Sequence, residues 1–280
     1  MKVTVPEELK KDMPQTQWGK ILSATPIVMT VIATLLAGLA SSEMTRAQYD
    51  RAFAAQLQSK AGDQWGYFQA KKMRAAMQRN TLELLEATTD VHPIDNPALE
   101  KIPAVAGSVT DPGVQTALAA VQSDKPEAEV DAAVKAADDK TLAATLQSTR
   151  DQARNFDAAL VPANAVFAQL EKSLPPGDKS AARDLTAAGM RFAALRYDAE
   201  AALNQNIGYL LELQVHKANI SAERHHKRSQ KFFFGMLAAQ AAIIVSTFAM
   251  AARRRNLLWT LAAVAGLAAI VFAIYVYLRV

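Results

Sequence analysis

The chain has 280 residues, a formal net charge of +4 and no cysteine, and 51% of its residues are hydrophobic. Without a thiol there is no disulfide, no zinc–thiolate site and no thiol nucleophile. The bases gather beside long apolar runs, while the polar middle from Val91 to Asp184 is acidic. That excludes the basic stripe of a nucleic-acid binder and points to anionic headgroups, which attract each juxtamembrane base by about 1 kcal/mol.

Residues 1–17, polar with Pro6 and Pro14, read as an N-terminal tail. Residues 18–40 are the first predicted transmembrane helix. Its apolar run, Ile21 to Ala40, meets the ~20 residues a bilayer requires and exceeds the ~7–15-residue core of a signal peptide. Glu7, Glu8 and Asp12 also dilute a positive leader. Pro26 predicts a tolerated bend. No helix breaker follows Ala40, so residues 41–87 are expected to continue out of the membrane as one long helix.

Within that helix Ala52, Ala55, Ser59, Gly62 and Gly66 recur at intervals of 3, 4, 3 and 4, a heptad seam. Two helical glycines cost about 1 kcal/mol each relative to alanine. Close approach of a second helix, which small residues permit, is expected to offset that cost. Trp65 and Phe68 stand three apart beside the seam, and Lys71 and Lys72 follow. Ala55, Ser59, Gly62, Asp63, Gln64, Trp65, Gly66, Phe68, Gln69 and Lys71 therefore form a candidate helix-packing or partner patch.

Residues 88–178 read as a loop and an alanine-rich helical cap. His92-Pro93, Asn96-Pro97, Ile102-Pro103 and Asp111-Pro112-Gly113 are loop signals. A short helix is predicted from Val114 to Val121. A second starts at Pro126, where a missing N–H costs little. Thr141 to Leu174 is helical with a break at Pro162, and Pro175-Pro176-Gly177-Asp178 is a stop. Residues 179–231 are the long return helix, with Leu185, Phe192, Leu195, Ala199, Ala202, Leu203, Ile207, Leu210 and Leu211 at helical spacing. Residues 232–252 and 257–278 are the second and third predicted transmembrane helices. Gly235-xxx-Ala239, Ala262-xxx-Gly266 and Ala265-xxx-Ala269 permit close packing in lipid.

Arg224, Lys227, Arg228 and Lys231, with the turn Arg253, Arg254 and Arg255, are the candidate topology-setting or headgroup-binding residues. Weighting the arginine turn puts the N-terminus inside and the hairpin outside. No acid, base or histidine interrupts the spans, which counts against ion coupling. His225 and His226 face two sides of a helix and read as polar juxtamembrane surface. There is no GxGxxG, Walker loop, GxSxG or HExxH, so no enzyme, metal site or cofactor is expected.

The text from Gln58 to Lys71 resembles the signature QASDQWAYYQAK of a bacterial membrane-protein family designated a domain of unknown function (the 4337 family). Gln58, Ala61, Asp63, Gln64, Trp65, Tyr67, Gln69, Ala70 and Lys71 match. Lys60 and Gly62 depart, and Gly66-Tyr67-Phe68 stands for Ala-Tyr-Tyr. The layout is similar at both ends, and the resemblance does not extend over Val91 to Lys179. It implies the architecture and brings no activity.

The expected fold is an all-α membrane protein, with three transmembrane helices, a long antiparallel coiled-coil-like hairpin and the alanine-rich cap between spans 1 and 2. The expected role is a non-enzymatic, multi-pass scaffold or interaction module of the bacterial inner membrane. It self-associates as a homo-oligomer and uses the lipid bilayer and an unidentified protein as partners. A small-molecule-sensing helical bundle and an oligomeric channel or pore are the alternatives.

Overall fold

The structure, a computed structural model, describes residues 17–94, 96, 111–123, 126–251 and 255–279. The N-terminal tail 1–16, the Ile102-Pro103 loop signal, Arg253 and Arg254 lie outside the described residues. Within them the fold is all helical: α1 (Gln17–Thr88), α2 (Pro112–Gln122), α3 (Glu127–Ala136), α4 (Asp139–Ala159), α5 (Val161–Ser173), α6 (Lys179–Ala251) and α7 (Arg255–Arg279). The chain divides into two compact units. Unit one takes Met1–Arg51 and Asn219–Val280, and unit two takes Ala52–Ala218.

Local chemistry sets the ends of the short helices. The Asp111 carboxylate accepts the Val114 N–H at 2.8 Å and caps α2, whose first residue is Pro112. Asp138 caps α4 by accepting the Thr141 N–H and hydroxyl. The backbone bond from Thr141, then its hydroxyl, holds the Asp138 carboxyl below the usual carboxylate range. A lowered native pKa means that this contribution is present above the ordinary carboxylate pKa and is lost as pH falls through the lowered one. The predicted break at Pro162 falls at Leu160, between α4 and α5. At the Pro175–Asp178 stop, Gly177 takes φ 88°, a left-handed value natural to glycine.

In unit two α1 and α6 run antiparallel. The α6 number falls as the α1 number rises: Trp65 meets Glu212, Lys71 meets Glu200 and Arg191 meets Glu86. The buried α1 seam is Ala54, Ala61, Ala75 and Leu82, with half-buried Phe68 in the same register and Leu57 beside it. On α6, Ala187, Ala194, Ala201, Gly208 and Val215 are buried at seven-residue intervals. The pair is thus an antiparallel heptad contact built largely from alanine.

The predicted small-residue seam has the right period and a different face. Ala52, Ala55, Ser59, Gly62 and Gly66 are all exposed, and a Cβ added at Gly62 or Gly66 meets nothing within 4 Å. Two heptads of small residues coexist on α1. The one that contains Leu57, Phe68 and Leu82 faces α6, because it removes those large apolar side chains from water.

The opposite side of α6 carries larger residues. Phe192 and Leu203 pack with Phe156, Leu160 and Ala163 of α4 and α5, and Phe167 adds a tilted ring contact to Phe192. Leu210, Leu211 and Leu213 are fully buried. Leu195, expected in this face, is 46% exposed. α2 packs against α3 through Val114, Ala117 and Val134.

Unit one inverts the usual polarity of a protein interior. Ala33, Ala239 and Ala269 meet at its centre, beside a cluster of Leu36, Ala40 and Phe232. Gly235 sits against Leu36 and Phe272, and a Cβ at Gly266 would come within 2.9 Å of the Met29 sulfur. These are the small-xxx-small positions anticipated for close packing. Large apolar side chains point outward instead: Ile27, Leu35, Phe248, Val264, Leu267 and Val271 are all more than half exposed. α1 and α6 are each long and apolar enough to cross a membrane, and α7 adds a shorter apolar stretch, Thr260–Phe272.

The two seams of α1 predict substitutions of opposite sign. Ala61→Leu is expected to overpack the α6 contact and destabilise by about 1–3 kcal/mol. Gly62→Ala is expected to stabilise the helix by about 0.5–1 kcal/mol. Urea unfolding of the detergent-solubilised full chain, followed by circular dichroism, reads both. Tolerance at Ala61 with damage at Gly62 would place α6 on the other face.

Candidate functional site

The most developed side-chain constellation lies on the α1·α6 pair of unit two. The Trp65 indole N–H donates to Glu212 Oε1 at 2.7 Å. Its ring meets Phe68 and Tyr209 edge-to-face, with centroids 5.6 and 4.9 Å away. Gly208 lies opposite it, where an added Cβ would come within 3.3 Å of Trp65 Cε2, a tight contact that the ring would have to relieve. The large ring therefore seats where the α6 seam narrows to nothing.

One turn further along α1 the contact becomes ionic. Lys71 bonds Glu200, whose other oxygen accepts from Arg196 Nε at 2.6 Å. That bond, with the Glu200 charge behind it, raises the Arg196 pKa. Arg196 also reaches Asp157 of α4 at 3.1 Å. Lys72 and Arg79 share Asp198. Lys71 and Arg74 stand over the Tyr197 ring at 5.4 and 5.9 Å. The exposed Asp198 pairs add about 0–1 kcal/mol each, while the buried Glu200 carboxylate is matched by two cations, and together these pairs fix which residue of α1 faces which residue of α6. Tyr67, Lys71, Asp157, Glu200 and Asn204 border a cleft of about 320 Å³ floored by Phe156 and Leu203.

The predicted patch divides between two faces. Gln64, Trp65, Phe68 and Lys71 are half-buried toward α6, and the Gln64 side-chain oxygen is buried without a hydrogen-bond partner among the described residues. Ala55, Ser59, Gly62, Asp63, Gly66 and Gln69 are exposed. Sequence reasoning found the α1 half and missed its α6 partners Asp198, Glu200, Tyr209 and Glu212. The available signal was the order of bases along α1 read against the reversed order of acids along α6.

Unit one supplies a second constellation. Glu43 is buried and lies 2.5 Å from His225 Nδ1, with Arg46 at 3.6 Å. Ser229 donates to the Ala40 carbonyl at 2.7 Å. His225 was expected on a polar surface; it faces the α1 seam and takes the carboxylate there. Of the predicted headgroup bases, Arg224 and Lys227 are exposed, Arg228 is half-buried, and Lys231 lies over the Tyr275 ring at 5.8 Å. Arg255 opens α7. Among the described residues no group of three histidine or carboxylate side chains is placed to hold a metal ion.

Trp65 and Gly208 are expected to be coupled. Gly208→Ala alone should destabilise, because the indole has to give way. In a Trp65→Ala background the same change should stabilise by about 1 kcal/mol, the ordinary helix preference for alanine. A double-mutant cycle on thermal unfolding measures the sign change. Stabilisation in both backgrounds would mean that the ring is not seated there.

No curated protein and no solved structure matches the chain. A family model matches residues 18–161, just over half of the chain. The match runs from the start of the first apolar segment through α1 and on to the α4–α5 boundary. It therefore takes in most of the middle that the signature resemblance left out, and it stops short of α6 and α7. The chain belongs to the family described as Domain of unknown function (DUF4337).

Proposed function

We propose that this chain is a non-enzymatic, multi-pass protein of the bacterial inner membrane. Residues 18–40, 232–252 and 257–278 serve as its spans, and unit two is the extramembrane hairpin that works as a scaffold or interaction module. The observation that carries the reading is the contrast in polarity between the units. Unit one is centred on alanine and glycine, with Met29, Leu36 and Phe232 buried among them, and turns most of its isoleucine, leucine, valine and phenylalanine outward. In water that arrangement wastes its apolar area, whereas in hydrocarbon it suits helices that associate by close backbone approach. Unit two buries leucine and phenylalanine and lays lysine, arginine and carboxylates along its seam, as a water-exposed helical layer does.

An interaction role is supported by the outward side of α1 in unit two. Ala55, Ser59, Gly62 and Gly66 leave a smooth, nearly uncharged strip there, and Met73, Met77 and Leu84 are exposed nearby. The seam first read as an intrachain contact is thereby available for self-association or for a protein partner.

The cysteine-free chain makes the placement testable. With a single Gln169→Cys on α5, intact cells treated with a membrane-impermeant maleimide are expected to label, since the hairpin lies outside the cytoplasm. Labelling only after lysis would invert the topology. Release of the chain from membranes by alkaline carbonate would overturn the integral placement itself.

A further inference from the structure

Unit one contains an open groove of about 610 Å³ between α1 and α6. Its lining changes character along its length. Ala37, Phe233 and Phe234 line one part, and Ser41, His226 and Gln230 line the other. Phe233 and Phe234 are 47% and 61% exposed. The Gln230 amide nitrogen lies 3.0 Å from His226 Nε2, while His226 Nδ1 has no hydrogen-bond partner among the described residues. Lys227 lies one helical turn before Gln230 on the same side of α6. It meets Glu223 at 3.4 Å, and both are well exposed. Arg224, Arg228 and Lys231 leave this stretch of α6 with a surplus of positive charge over that one acid.

We infer that this groove holds one bilayer phospholipid with an anionic headgroup. Its hydrocarbon lies along Ala37, Phe233 and Phe234, and its phosphate sits among Ser41, His226 and Gln230, beside the basic turn of α6. The occupant follows from the gradient. A wholly apolar ligand leaves His226 Nδ1 unsatisfied and offers nothing to the Ser41 hydroxyl at the end where the bases are. A water-soluble anion leaves two phenylalanine rings uncovered. A phospholipid satisfies both ends, and its charge is opposite to that of the surrounding helix. The inference rests on the membrane placement proposed above and goes beyond it by fixing one lipid at one place.

The test uses the full chain, purified in mild detergent and given an equimolar mixture of phosphatidylglycerol and phosphatidylcholine. Native mass spectrometry reads the bound lipid. One phosphatidylglycerol per chain is expected, retained about fivefold or more over phosphatidylcholine, the preference that a single juxtamembrane base supplies. Ala37→Phe, which fills the apolar end, should abolish retention. Gln230→Leu, at the polar end, should weaken retention of both lipids, and Lys227→Gln should abolish the preference and keep some binding. Leu267→Ala, on the outward face of α7, should change neither. Unchanged helical content by circular dichroism confirms that each variant is folded. Equal retention of the two lipids, or retention untouched by both groove substitutions, overturns the inference. Carbonate extraction of the parent membranes separates the two readings: a chain that stays in the membrane without selective lipid refutes the groove alone, and a chain that is released refutes both.

Discussion

Close contact between α1 and α6 is the constraint on which the rest of this fold depends. It is made at heptad positions held mostly by alanine: Ala54, Ala61 and Ala75 on one helix, with Phe68 between the last two, and Ala187, Ala194 and Ala201 on the other. Alanine loses no side-chain entropy on burial and favours the helix by propensity, so the seam needs few bulky side chains, Leu57, Phe68 and Leu82 among them, to hold two long helices together. It also buries little area per residue. The remaining hydrophobic stabilisation of unit two comes from the other side of α6, where Phe192 and Leu203 meet α4 and α5. α6 is buried on two faces there, and α1 on one.

The same small-residue logic in unit one acts on a different exterior. Ala33, Ala239 and Ala269 bring three helices together, Leu36 and Phe232 are buried beside them, and most of the other large apolar side chains face out. A thin interior cannot repay the exposure of so many branched and aromatic side chains in water, which is the physical reason for the proposed bilayer setting. Ser246 is buried within the apolar part, where its hydroxyl bonds the Ile243 carbonyl of its own helix, and past Ala40 Ser229 and the Glu43–His225 pair bring polar contacts between the helices. A buried carboxylate next to a histidine is tolerable at that level because each supplies the other's hydrogen bond.

Helix boundaries were legible in the sequence because they follow local chemistry. Asp111-Pro112, Pro126, Pro162 and the Pro175–Asp178 stop each act within one turn, and each lies at a boundary of α2 through α6. The face of α1 that meets α6 was less legible. Gly62 and Gly66 are more conspicuous than Ala54 and Ala61, and two heptads with one period cannot be told apart by spacing. Only the large residues that share a register with the alanines, Leu57 and Leu82, separate them, and their burial is a property of the pair. The partners of Trp65 and Lys71 were hidden for a similar reason, since Glu212 and Glu200 lie far away in sequence and are joined to them by the hairpin alone.

Cysteine scanning along α1 from Ala54 to Ala75 in the detergent-solubilised chain, with maleimide labelling rates read by mass shift, tests the alanine seam most directly. Slow labelling at Ala54, Leu57, Ala61 and Ala75, set against fast labelling at Lys60, Tyr67 and Ala70, is the pattern the seam requires. Fast labelling at Ala54, Ala61 and Ala75 would show that α1 does not meet α6 along its alanines.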